Sequence, residues 1–131
     1  MRATGDANWR LEKAGQFLRS AARAFLAEEW DTAVSRAYYA AFHAVIALLD
    51  AKAGLRWRTW GHAQVQHDFR ANFSKRGFLF TKRHVEDLNS LYEGRLIADY
   101  EKSDFSRPVV ADLLERVRRL NESIVEAIRN G

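Results

Sequence analysis

Apolar residues recur along the chain every three or four positions, in long runs separated by short polar breaks. The first run, from Ala7 to Ala27, sets Leu11, Ala14, Phe17, Leu18, Ala21, Ala22, Phe25 and Leu26 in one stripe. A stripe at this period predicts an amphipathic helix, with Asp6 placed to cap it. A second helix is predicted from Trp30 to Ala53, with Val34, Ala37, Ala41, Val45 and Leu48 on one side and Gly54 as its stop. A loop, "LRWRTWGH", leads into a shorter helix from Gly61 to Lys75 that carries Val65, Phe69 and Phe73 and ends at Gly77. The fourth runs from Thr81 to Tyr100. The last begins after Ser106, with Pro108 tolerated in its first turn, and its stripe extends from Val110 to Ile128. No stretch alternates as a strand would. Four long helices and one shorter helix with short connections predict an all-α fold, an antiparallel up-and-down helical bundle in one domain over residues 1–131.

Composition narrows this only slightly. The chain has 131 residues, 47% of them hydrophobic, which is enough for a core without metal or disulfide support. It has no cysteine, so thiol chemistry is excluded and a cytoplasmic setting is expected. No apolar stretch is expected to reach the ~20 residues of a membrane span, and "MRATGDANWR" lacks the apolar run of a signal peptide. The net charge of +4 suits RNA or acidic partners, but it also lies within the ordinary range for a soluble small domain.

Position matters more than composition. Arg36, Tyr39, His43, Ile46 and Asp50 share one face of the second helix, opposite its apolar stripe. A helix apolar on nearly all sides belongs in the middle of a bundle, so Arg36 and His43 need partners. On the fourth helix Arg95 and Asp99 lie four residues apart, on the side of Leu88 and Tyr92, and can pair with each other. Charges on apolar faces serve either to organise packing or to build a site. The expectation is one polar seam in which Arg36, His43, Arg95, Asp99 and the tyrosines meet. His62 and His67 are five apart, an awkward spacing for one metal ion, and no metal or other cofactor is expected. There is no phosphate-binding glycine loop and no nucleophile elbow. Trp57 and Trp60 alternate with Arg56 and Arg58. Aromatics among cations can stack on bases, although such a ring more often packs over a helix end.

"AVSRAYYAAFHAVIALL", a histidine after the following loop (His62), "LYEGRLIADY" and the amphipathic last helix together resemble a HEPN-domain protein. The likeness is to the small stand-alone prokaryotic subfamily with S-R-A-Y-Y-A and R-x-x-A-D-Y motifs, and it covers nearly the whole chain. It implies a helical bundle that forms a homodimer, often beside a minimal nucleotidyltransferase partner, with RNA or a nucleotide as ligand. Many such pairs act as toxin and antitoxin, the HEPN member being a metal-independent ribonuclease with an arginine, four to six residues, then a histidine. Arg36 and His43 satisfy that spacing literally. By order along the chain, the signature falls instead on Arg95, Asp99 and Tyr100, where the histidine is replaced. The resemblance therefore makes Arg95, Asp99, Tyr100, Arg36 and His43 the candidate catalytic set.

Three functional readings follow. One is a ribonuclease toxin. Another is a non-catalytic dimeric module that binds a nucleotidyltransferase and a nucleotide. The third is general nucleic-acid binding through Arg56, Arg58, Lys75, Arg76, Lys82 and Arg83.

Overall fold

A computed structural model describes residues 5–73 and 80–130 as five helices, with no strand among the described residues. They are α1 (Gly5–Leu26), α2 (Trp30–Ala53), α3 (His62–Phe73), α4 (Lys82–Tyr100) and α5 (Arg107–Asn130). The all-α bundle of four long helices and one shorter one is the architecture expected from the apolar period. Lys75, Arg76 and Gly77, named above as a helix end and as part of a basic patch, lie outside the described residues.

α2 is the central rod and touches all four other helices. Its alanines at 33, 37, 40, 41, 44 and 47 are fully or almost fully buried, and small side chains let neighbouring backbones approach closely. α1 answers with buried alanines one heptad apart, Ala7, Ala14 and Ala21. On α4 the equivalent device is Gly94, where an added Cβ would lie 3.0 Å from Val34 Cγ1. Leu48, Leu49, Leu88, Leu91, Leu120, Ile124 and Phe69 are sealed from solvent. Burial of each such side chain contributes about 1.5–3 kcal/mol.

By length and composition α2 is apolar enough to cross a membrane, contrary to the expectation that no stretch would qualify. Its apolar surface is covered by α1, α4 and α5, which is what a bundle core requires.

Several ends behave as their sequences suggest. Gly54 closes α2 in the left-handed region at φ 67°, its N–H donating to the Asp50 carbonyl. Thr81 precedes α4, and its backbone N–H donates to His84 Nδ1 at 3.0 Å, so a histidine takes the place usually held by glutamate in a capping box. Other details differ. Asp6 lies inside the first turn of α1, not before it. Leu26 is 79% exposed and Ala22 is also exposed, because α1 buries the alanine heptad and not the whole stripe.

Among the described residues, one charged side chain is sealed completely. Asp87 of α4 is 0% exposed and accepts from Arg116 Nη1 at 2.8 Å and Arg119 Nη2 at 3.2 Å, both on α5. This two-arginine clamp fixes α4 against α5.

Candidate functional site

The Arg95–Asp99 pair forms. Arg95 Nε lies 2.9 Å from Asp99 Oδ2, with side-chain exposures of 19% and 29%. One helical turn brings the two side chains onto the same strip of α4. Arg95 Nη2 also donates to the Tyr39 hydroxyl on α2 at 3.0 Å and to the Tyr100 hydroxyl at 3.4 Å. The guanidinium lies over both rings, 5.6 Å and 5.3 Å from their centroids, a cation–π arrangement. Burial works against its charge, but the oxygens of Tyr39, Tyr100 and Asp99 outweigh that and raise the Arg95 pKa. The Nε–H is buried and makes no aligned hydrogen bond among the described residues. Asp99 is thus an ion-pair partner by proximity but is not in line with that donor. At the rim, Ser35 Oγ reaches Asp99 at 3.5 Å.

A second layer lies beneath. Tyr38, adjacent in sequence to Tyr39, is buried, and its hydroxyl is 3.2 Å from His62 Nδ1. His62, the first residue of α3, stacks flat on Tyr92 of α4 at 3.4 Å. Burial, then the Arg95 charge, lowers the His62 pKa, so its imidazole is neutral near pH 7. Burial raises the Tyr38 pKa although Arg95 pulls the other way, so its hydroxyl keeps its proton. The sequence reading did not place His62 in the site. The available signal was its position as the histidine after the loop; only the fold of that loop puts its ring beside Tyr38.

The remaining two members of the predicted set are elsewhere. Arg36 is exposed and donates to Ser20 Oγ of α1 at 2.5 Å. His43 Nδ1 lies 2.9 Å from Arg10 Nη1 of α1, and its ring stacks on Phe17 at 5.6 Å with Trp9 against its edge at 6.0 Å. Burial and then the charges of Arg10 and Lys13 lower the His43 pKa to about 4. Arginine can only donate, so Nδ1 accepts and the ring is neutral. Arg36 and His43 therefore do not pair, and neither hydrogen-bonds Arg95 or Asp99. The expected single seam is divided, because α1 covers this face of α2 and offers each polar group a separate partner. Phe17, packed on both Tyr39 and His43 at 5.6 Å, forms the partition.

Among the described residues, the third reading rests on Arg56, Arg58, Lys82 and Arg83. Arg56 is tied to Asp50 at 2.6 Å and lies 3.7 Å from Asp6. Arg58, Lys82 and Arg83 are exposed.

In comparison with known proteins, the family model described as "HEPN domain" matches residues 7–128, nearly the whole helical body. No curated protein matches the chain significantly.

Proposed function

The chain belongs to the HEPN-domain family, and from that premise we propose that it is a binding module for the phosphate of a nucleotide or RNA strand, held at the Arg95–Tyr39–Tyr100 cluster. The observation that carries this reading is the state of Arg95. It is a permanent cation, partly exposed and bonded to two tyrosine hydroxyls, with an Nε–H that is not satisfied by an aligned acceptor. Guanidinium suits phosphate because it donates two parallel hydrogen bonds to two oxygens. Asp99 holds the cation while the site is empty and is displaced by the anion that arrives. The tyrosine rings give the ligand's sugar and base an aromatic wall. In this reading the protein works as a homodimer and as partner to a minimal nucleotidyltransferase, the arrangement the family resemblance implies.

A second reading, metal-independent RNA cleavage by a toxin, is favoured by one specific observation, His62. Cleavage needs a base for the 2′-hydroxyl and a cation for the phosphorane oxygens. A neutral imidazole that feels the Arg95 charge can supply the first, and Arg95 the second. His43 cannot, since arginine only donates and so takes up the Nδ1 lone pair, whereas His62 Nδ1–H can donate to the Tyr38 oxygen and leave Nε2 as the base.

Incubation of the purified protein with RNA in excess chelator separates the two readings. RNA that is retained and recovered intact supports the binding module. Fragments that disappear in His62→Ala support the nuclease. RNA neither retained nor cut contradicts both.

A further inference from the structure

A cleft of about 230 Å³ opens where the start of α1, the end of α2 and residues 55–61 meet. Its walls include Trp9, Trp57 and Trp60, with Arg10 and Arg56 alongside. Indoles this accessible normally adapt freely, but these are held. Trp57 is 47% exposed, yet its Nε1–H donates to Asp68 Oδ2 at 2.8 Å. Burial pushes the Asp68 pKa up, but hydrogen bonds from Gln64, Trp57 and His67 outweigh it, so the anchor is a carboxylate. Trp60 meets the Trp57 ring edge-on at 6.4 Å. Trp9 is 51% exposed and carries the Arg10 guanidinium over its face at 4.8 Å. An exposed ring already fixed in place loses little freedom when a ligand stacks on it.

The charges decide which ligand fits. A cage of three tryptophans could hold an organic cation, but Asp6 and Asp50 are already engaged by Arg56. Arg56 is spent on those two carboxylates, and the cation left for an incoming ligand to meet is Arg10, bonded to the His43 ring. A purely apolar ligand would gain nothing from it. A flat base attached to a phosphodiester uses both features, with the ring on indole and the phosphate on guanidinium.

The cleft is also placed to share a strand with the Arg95 cluster. Trp60 precedes His62 by two residues, so their Cα atoms are at most about 7 Å apart. His62 contacts Tyr38, and the adjacent Tyr39 receives the Arg95 hydrogen bond. Along α2, Tyr39 and Ile46 of the cleft lie on one face, separated by about 10 Å of helical rise.

We infer that the Trp9–Trp57–Trp60 cleft is a base-stacking subsite for single-stranded RNA, a few nucleotides from the phosphate held at Arg95. This rests on the proposed phosphate site, and two probes separate the two claims. Ribose 5-phosphate, which has no base, reports on Arg95; tetra-adenylate reports on both. The wild type binds tetra-adenylate more tightly than ribose 5-phosphate, with quenching of tryptophan emission. Trp57→Ala weakens tetra-adenylate by about 5- to 150-fold and leaves ribose 5-phosphate unchanged. Trp57→Phe, which retains a ring, recovers most of the loss and controls for folding. Equal tetra-adenylate affinity in wild type and Trp57→Ala overturns the subsite, as does a wild type whose tryptophan emission ignores the oligonucleotide. If ribose 5-phosphate fails to bind while tetra-adenylate binding still depends on Trp57, the Arg95 reading fails and the subsite stands.

Discussion

Arg95 on α4 and Tyr39 on α2, 56 positions apart in sequence, are joined by a 3.0 Å hydrogen bond from guanidinium to phenol. The bond sets the direction of the cation. With Tyr39 on one side and Tyr100, 71% exposed, on the other, the guanidinium is held between two phenols and not lost among solvent-facing conformers.

The carboxylate of Asp99 competes with any anion for that cation. Asp99→Asn keeps the shape and removes the competing charge, so affinity for a nucleoside monophosphate rises by about 1.5- to 5-fold, in keeping with the modest worth of a partly exposed ion pair. Calorimetric titration checks this. A fall in affinity would mean that the carboxylate serves to position Arg95 and is not displaced.

Any metal-free cleavage of RNA follows His62 and not His43. His62→Ala removes it and His43→Gln keeps it, measured by fragment yield in chelator. Because the folded site lowers the His62 pKa, the base form persists into mildly acidic solution, and the acidic limb of the rate profile falls below pH 6.5.

His43 makes stability depend on pH. Its pKa is about 4 in the folded chain against an ordinary 6.5, so between these values the unfolded state binds more protons. Stability is complete above pH 6.5 and falls as the pH drops towards 4, by up to about 3 kcal/mol. His62 and His84, both lowered chiefly by burial, slope in the same sense, so the test is a difference. Urea unfolding of His43→Gln, which keeps an acceptor for Arg10, shows a shallower dependence on pH than the wild type. Parallel curves would contradict the assignment.

The α4–α5 clamp is a matter of stability alone. Asp87→Ala removes a sealed carboxylate from two arginines that are each about one-third exposed. The freed guanidiniums can turn to water, so the cost is about 1–3 kcal/mol, below that of a buried cation left without a partner. Arg116→Ala costs less, since Arg119 still reaches Asp87. Chemical denaturation reads both, and ligand affinity stays as in the wild type.

The helices and the Arg95–Asp99 pair were legible in the sequence because both are local. A stripe at the 3.6 period names a helix, and a spacing of four names neighbours on its surface. The shared face of Arg36, Tyr39, His43 and Asp50 on α2 was also legible, but a face does not name its partners. Ser20 and Arg10 on α1 take Arg36 and His43 separately, and Phe17 stands between His43 and Tyr39. His62 was hidden for a related reason. Its place beside Tyr38 depends on the path of residues 54–61, which no periodicity describes. The Trp57 and Trp60 pair came out divided: Trp60 packs partly against the core, while Trp57 stays half-exposed on its Asp68 anchor.

The most direct test of the phosphate site is the affinity of a nucleoside monophosphate for the wild type and for Arg95→Gln, which keeps a polar side chain but carries no charge. A charged hydrogen-bonding contact contributes about 1.5–3 kcal/mol, so the substitution weakens binding by about 10- to 150-fold with the melting temperature nearly unchanged. Equal affinity in the two proteins would contradict the account.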